Sequence, residues 1–264
     1  MQWNDVELSF PSELKGVPLE MGIDEAGRGP VLGPMVYGSA FAKLDYEWPE
    51  SVNDSKQLTP EQREENLKLL KELPIGFGVR VLTSVEISAK MLSINEVNLN
   101  SMSHNAAIML VKAALNAGLD IRKLYVDTVG PEAKYQEKLE SFFPNIKITV
   151  SKKADAKFKC VGAASINAKV LRDKIIREYE FEEDGIDATK EFGSGYPSDP
   201  NTVKWLKDNF DDVFGFPSIA RFSWGTIKEI FEKQKCEADF DSNPRLPVDS
   251  TFFAQRWIRP VLLK

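Results

Sequence analysis

The chain has 264 residues, 42% of them hydrophobic and 28% charged, with a formal net charge of −6; it can bury a full core and falls among globular proteins rather than disordered or fibrous ones. No apolar run reaches the ~20 residues of a membrane span, and the opening Met1-Gln2-Trp3-Asn4-Asp5 lacks the basic and apolar regions of a secretion signal. Two cysteines, Cys160 and Cys236, are too few for a disulfide framework or a cysteine zinc site and suit a reducing compartment.

In chain order, Val17-Pro18-Leu19-Glu20-Met21-Gly22-Ile23 is an apolar, strand-like run that ends in Asp24-Glu25 and passes at once into Ala26-Gly27-Arg28-Gly29. Two carboxylates at a strand end, beside a glycine-rich basic turn, suit a site that holds metal ions and an anionic backbone together. Pro34-Met35-Val36-Tyr37-Gly38-Ser39-Ala40-Phe41 reads as a second strand, close enough for a hairpin. Thr59-Pro60-Glu61-Gln62 starts a helix, with Thr as cap, Pro at the first position and Gln62 completing a capping box. Leu67, Leu69, Leu70 and Leu73 are expected on its buried side, and Pro74 stops it.

Residues 77–82 alternate like a strand, and 106–117 form a helix closed by Gly118. The single histidine, His104, lies in a helix-like stretch just before it. One histidine excludes a multi-histidine zinc centre, and its setting favours a structural role over a catalytic triad. Acid–base work then falls to carboxylates, lysines or metal-bound water. Residues 123–127 are a short apolar strand ending in Asp127, 132–143 a helix and 146–150 another strand. From Val161 onward the chain is mostly helical. Residues 193–200, rich in Gly and Pro, form a loop, and Asp199-Pro200 starts a helix through Trp205. Strands alternating with helices imply an α/β sheet with helices packed on its faces.

The total charge hides a pattern. Nine Lys/Arg between Lys147 and Arg177 stand against Asp155 and Asp173, a local charge of +7. Such a footprint suits phosphate binding, although from charge alone a solvated helix face is the simpler reading. Asp24-Glu25, Asp127 and Asp155 all fall at strand ends or just beyond. Parallel strands bring their carboxyl ends to one sheet edge, where α/β proteins bind ligands. Carboxylates gathered there repel one another without a cation. Hard divalent ions, Mg²⁺ or Mn²⁺, are the natural neutralisers, and two of them can clamp the attacking and leaving oxygens of a phosphoryl displacement. Asp127, followed by Thr128-Val129-Gly130, reads equally well as a turn residue. The spacing Gly27, Gly29, Gly33 is not the dinucleotide fingerprint, because Leu32 stands where glycine is required, and Pro30 removes a donor where a phosphate-cradling helix would begin.

The run from Asp24 through Gly29 to Pro30-Val31-Leu32-Gly33-Pro34 resembles the signature of the type 2 ribonuclease H family. Further matching segments follow in order: Asp54-Ser55-Lys56, Tyr125-Val126-Asp127-Thr128-Val129-Gly130, Lys153-Ala154-Asp155-Ala156, the run from Ala163 to Asp173, the Gly193-Ser194-Gly195-Tyr196-Pro197 loop, Phe214-Gly215-Phe216-Pro217, and Arg221-Phe222-Ser223-Trp224. The resemblance covers roughly residues 17 to 235 and is strongest to the catalytic (A) subunit of the eukaryotic enzymes.

It implies an RNase H-like fold, a central mixed sheet flanked by helices, with a helical C-terminal extension. The expected division is a catalytic domain over 1–180, a helical part over 181–235 carrying the tyrosine loop, and a tail over 236–264 that could bind a partner. The implied activity is endonucleolytic cleavage of RNA in RNA–DNA hybrids and of single ribonucleotides in duplex DNA, 5′ to the ribonucleotide, leaving 3′-hydroxyl and 5′-phosphate ends. By the same resemblance Asp24, Glu25, Asp127 and Asp155 carry two Mg²⁺ or Mn²⁺ ions. Gly27, Arg28 and Gly29 contact the ribose 2′-hydroxyl, the group that separates RNA from DNA. Tyr196 packs on the next sugar, and Lys56, Ser165, Lys169 and Arg172 hold phosphates of the DNA strand. Two accessory subunits (B and C), a nuclear location and roles in ribonucleotide removal and replication primer removal are implied likewise. Lys157-Phe158-Lys159-Cys160 departs from the more apolar run expected at that place. A non-catalytic binding subunit, or an RNase H-like nuclease acting on DNA, are the alternatives; the full set of four acids argues against the first, and ribose dependence discriminates the second.

Overall fold

The computed structural model describes residues 5–52, 58–128, 130–183, 186 and 191–234, all within one compact unit. The apolar run after Val17 becomes strand β2 (Pro18–Ala26), following a short strand β1 (Glu7–Ser9) that the sequence pattern did not reveal. After the glycine turn, β3 (Met35–Lys43) returns antiparallel to β2, with Asp24 opposite Gly38 and Glu25 opposite Tyr37. Helix α1 (Pro60–Lys71) starts at Thr59 with both bonds of the capping box formed. Its buried side is Leu67 and Leu70; Leu69, expected there, is 64% exposed because it falls off the i, i+3 stripe.

Strand β4 (Gly76–Leu82), helix α2 (Ser84–Met91), helix α3 (Leu99–Asn116) and strand β5 (Asp120–Asp127) follow. Helix α4 (Glu132–Phe142), strand β6 (Lys147–Ser151) and helix α5 (Lys159–Arg177) complete the sheet's framework. The sheet is mixed, in the order β1-β4-β3-β2-β5-β6. Its first four strands pair antiparallel, whereas β2, β5 and β6 run parallel. Each parallel crossover carries helix: α3 lies between β4 and β5, α4 between β5 and β6.

One sheet face buries Met21, Ile23, Tyr37 and Leu124 in a cluster with α3 and α4 side chains. The other buries Ala40, Ala42 and Phe77 with Leu67 and Leu70 of α1 and Val161, Ala164 and Ile166 of α5. Helix α5 comes very close to the strands because Gly22 and Gly38 lie beneath it. A Cβ on Gly22 would collide with the Cys160 and Val161 backbone, and one on Gly38 would stand 2.5 Å from the Ala164 carbonyl. A third cluster joins helices α6 (Pro200–Asp208) and α7 (Gly225–Gln234) to Phe192, Phe216 and Ile219. Val31 and Leu32, from the turn after β2, are buried in that cluster too. Among the described residues no helix is long and apolar enough to cross a membrane. Residues 235–264, and with them the expected partner segment and Cys236, lie outside the described residues.

Candidate active site

The parallel pairing of β2, β5 and β6 brings the acids to one end of the sheet. Asp24 and Glu25 are consecutive on β2, so the pleat sends their side chains to opposite faces. Asp24 is 7% exposed; its Oδ1 accepts the Glu25 N–H at 2.7 Å, and the Ser165 hydroxyl of α5 faces it. Glu25 turns to the other face, beside its cross-strand neighbour Tyr37. Asp127 ends β5, and its Oδ1 accepts the Ala154 N–H at 2.6 Å. That bond ties the strand end to the 3₁₀ turn Ala154–Ala156, which carries Asp155, itself 7% exposed.

Burial, and then the charges of Glu25 and Asp127, push the Asp24 carboxyl well above its ordinary range. Burial, reinforced by Asp127, pushes Glu25 up to about 7 against the pull of Arg28 and Tyr37. Among the described residues no three acids, histidines or cysteines already close round a common point. The donors are nevertheless all carboxylate oxygens; the charges of Glu25 and Asp127 raise Asp24, and that of Asp127 raises Glu25. A hard divalent cation would relieve that repulsion, so the residues present fit Mg²⁺ or Mn²⁺.

Beside the acids, the turn after β2 is held from three sides. Gly27 and Gly33 have φ of +79° and +80°, the left-handed region that glycine tolerates. Arg221 is completely buried and donates Nε to the Gly33 carbonyl at 2.8 Å, Nη1 to the Arg28 carbonyl at 3.0 Å and Nη2 to the Gly27 carbonyl at 2.5 Å. Burial lowers its pKa to about 9, still cationic at neutral pH. The Trp224 indole stacks on this guanidinium at 4.8 Å and donates to the Gly29 carbonyl at 3.0 Å. The Gly195 carbonyl accepts the Val31 N–H at 2.8 Å, which brings the tyrosine loop against the turn. A Cβ on Gly29 would lie 3.0 Å from Tyr196 Cε1, and Tyr196 is 47% exposed.

The side chain of Arg28 leaves the turn and reaches α3, donating Nη1 to Ser103 Oγ at 2.7 Å and Nη2 to Asn100 Oδ1 at 2.5 Å. These contacts border a cleft of about 220 Å³ that opens from Glu25 and Asp127 towards the first turns of α3 and α4. His104 lines it, stacked on Tyr135 with ring centroids 3.8 Å apart. Burial, with the Lys138 and Arg28 charges, lowers His104 to about 4, so its ring is neutral near pH 7. His104 thus has the packing role expected of it, and in addition borders the cleft.

Of the residues expected to hold phosphates, Lys56 lies outside the described residues. Ser165, Lys169 and Arg172 share a face of α5, as their spacing requires. Ser165 is 1% exposed against Asp24, and Lys169 is half-buried one turn on. Arg172 is largely buried and donates to the Pro34 and Leu32 carbonyls at 3.3 and 3.5 Å, under the glycine turn. In the departing segment, Phe158 stacks on Tyr125 at 4.2 Å while Lys159 pairs with Glu50 at 2.5 Å. Sequence pattern alone assigned no role to Arg221 or Trp224. A lone cation inside the apolar run Ile219-Ala220-Arg221-Phe222 was the available signal, since arginines are almost never fully buried unless paired.

The Ribonuclease HII family profile matches residues 21–227. The A subunit of ribonuclease H2 from Arabidopsis thaliana is 51% identical over 213 residues, covering 79% of this chain and 72% of that protein. Its Homo sapiens counterpart, also a ribonuclease H2 A subunit, is 43% identical over 229 residues, covering 85% and 76%. The crystal structure of ribonuclease H2 from Pyrococcus horikoshii OT3 matches with a TM-score of 0.65 and 33% identity, covering 81% of this chain and 98% of that one. An acid-bearing edge of an RNase H-like sheet, a caged glycine turn beside it and relatives of this closeness agree on one conclusion: the chain belongs to the ribonuclease HII family, on the branch of the ribonuclease H2 A subunits, and is a ribonuclease.

Proposed function

We propose that this chain is the catalytic subunit of an enzyme that cuts RNA in RNA–DNA hybrids and single ribonucleotides in duplex DNA, on the 5′ side of the ribonucleotide, leaving 3′-hydroxyl and 5′-phosphate ends. The observation that carries the reading is the apposition of Gly29 and Tyr196 beside Asp24 and Glu25. The Gly27, Arg28 and Gly29 carbonyls are already engaged by Arg221 and Trp224. The backbone N–H groups of the turn are therefore what it offers to a 2′-hydroxyl oxygen, at a place where a β-carbon would obstruct approach. Tyr196, half exposed on the far side of Gly29, would pack on the following sugar.

Asp24, Glu25, Asp127 and Asp155 would hold two Mg²⁺ or Mn²⁺ ions, whose chemistry is to activate water and neutralise charge at the phosphate. The chain's own contribution is to bury Asp24 and Asp155 and half-bury Glu25 and Asp127 at one sheet edge, where Asp24 and Glu25 are costly to ionise until cations enter. Arg28, fixed by Asn100 and Ser103, adds a cation at the same edge. Lys169, and Lys56 beyond the described residues, would meet phosphates of the opposite strand; Ser165 and Arg172 serve that contact by shaping the surface from beneath. The enzyme would work in the nucleus, in ribonucleotide and primer removal, with two accessory subunits (B and C).

The test is duplex DNA carrying one ribonucleotide, incubated with the chain and Mg²⁺, with and without the two accessory subunits, and the cut mapped. A single cut 5′ to the ribonucleotide is expected, with an all-DNA control left intact. No cut at that place under any of these conditions, or equal cutting of the control, would refute the reading. Asp24→Asn and Asp155→Asn should each abolish cleavage and leave the circular dichroism unchanged; full activity in either removes that acid from the site.

A further inference from the structure

The cleft described above extends past the acids to a wall that the ribose-recognition turn does not use. That wall comes from the first turns of α3 and α4: Asn100, His104, Lys134 and Tyr135. Its own side chains bring no negative charge, with Glu25 close enough to raise the Tyr135 hydroxyl. Arg28 occupies the Asn100 Oδ1, which leaves the Asn100 amide nitrogen as the outward donor. Lys134 is exposed at the lip and cationic. Tyr135 is 3% exposed, and its hydroxyl has no hydrogen-bond partner among the described residues. A buried hydroxyl left unsatisfied is costly, and this one is kept at the edge of a cleft, its ring stacked on an imidazole. Among the described residues, no carboxylate but Glu25 and Asp127 lines the cleft; Glu132 at the start of α4 is turned to the Lys152 N–H at 2.7 Å. Both helix starts add positive potential on the same side.

We propose that Asn100, Lys134 and the Tyr135 hydroxyl form a subsite for a phosphate of the strand being cut, next to the scissile one. His104 lies flat on the Tyr135 ring beside this subsite. The subsite gives the enzyme a second grip on the strand it cleaves, independent of the 2′-hydroxyl check, and fixes the strand's direction across the acids. The inference rests on the functional reading above.

The experiment titrates the full chain, in EDTA so that nothing is cut, into fluorescent duplex DNA carrying one ribonucleotide. A single uncharged methylphosphonate linkage is walked along the ribonucleotide strand. For the unaltered protein, one linkage within a few nucleotides of the ribonucleotide should weaken binding about tenfold, the scale of one charge-assisted hydrogen bond. In Lys134→Ala, and in Tyr135→Phe, which retains the ring stack, the cost of the same linkage should shrink. Equal penalties in the unaltered protein and in Lys134→Ala at every linkage overturn the subsite. Lys134 is exposed, so that variant folds whatever Tyr135→Phe does. A parallel cleavage reaction of the unaltered protein with Mg²⁺ and both accessory subunits separates the two failures. Cutting beside the ribonucleotide with equal penalties removes only the subsite, whereas no such cutting removes the functional reading and the subsite with it.

Discussion

Gly27 and Gly29 stand two residues apart in one turn, yet alanine at each should do different things. At Gly27 the backbone has φ +79°, and a Cβ would collide with the Arg172 side chain and come within 2.7 Å of the Pro34 carbonyl. Strain and collision together should cost roughly 2 kcal/mol or more, seen as a lower melting temperature. At Gly29 the φ is ordinary, and among the described residues the Cβ would meet only Tyr196, 3.0 Å away and half exposed. Gly29→Ala should melt close to the unaltered protein but lose preference for a ribonucleotide over deoxyribonucleotide. A large loss of melting temperature in Gly29→Ala would contradict this division. The acids carry a second expectation at the same scale. Glu25 is raised from 4.5 to about 7 by burial and by Asp127, and Asp24 is raised too. The folded state therefore binds more protons than the unfolded one across that interval, so the metal-free protein loses stability as pH rises from about 4.5 to 7. For Glu25 the loss is at most roughly 3 kcal/mol. Mg²⁺ should accordingly raise the melting temperature more at pH 8 than at pH 5, and Glu25→Gln should flatten the metal-free profile. A metal-free melting temperature that climbs from pH 5 to pH 8 would contradict the sign.

Helix α5 reaches the sheet through two glycines, and that closeness puts Ser165 against Asp24. Gly22→Ala would force apart the backbones of β2 and α5 at Cys160 and Val161, which no side-chain rotation can relieve. The expectation is severe destabilisation, about 3 kcal/mol or more on the scale of overpacked cores, read from thermal unfolding or loss of soluble protein. A variant that melts within a few degrees of the original would show that the helix can lift away. Much of the sheet edge beneath it was legible beforehand. Acids at the ends of apolar runs foretold the parallel edge, because strand period and polarity are local properties. The capping box at Thr59 was legible for the same reason. Strand β1, three residues long with only half-buried and exposed positions, carries no period to detect. The start of α3 was placed late because Asn98, its cap, opens a polar first turn whose Asn100 and Ser103 serve Arg28 rather than the core. Nor could spacing alone show that Arg172 lies under the glycine turn, since that depends on how closely α5 packs.

At the scale of the whole molecule, Arg221 and its stacked neighbour Trp224 join the two halves of the site. Arg221 comes from the segment after the tyrosine loop, nearly two hundred residues from the turn it holds, and gives donors to Gly27, Arg28 and Gly33. Its backbone N–H also bonds the Val31 carbonyl at 2.9 Å, and Val31 and Leu32 are buried in the C-terminal cluster. The glycine turn is thus covalently part of the sheet but packed as part of the helical C-terminal segment. Arg221→Lys tests the coupling better than alanine, because lysine keeps the charge and most of the volume. Its ammonium is a point donor and cannot span three carbonyls in the planar pattern that a guanidinium fits. Carbonyls stripped of a partner in a buried place cost about 1–3 kcal/mol each, so Arg221→Lys should lower the melting temperature markedly. Because the released groups belong to the turn, cleavage beside a single ribonucleotide should fall further than the binding of duplex DNA that lacks one. Cleavage and non-specific binding that fall in equal proportion would mean that Arg221 only stabilises the fold. A selective fall would mean that the C-terminal segment sets the geometry with which the turn meets a 2′-hydroxyl.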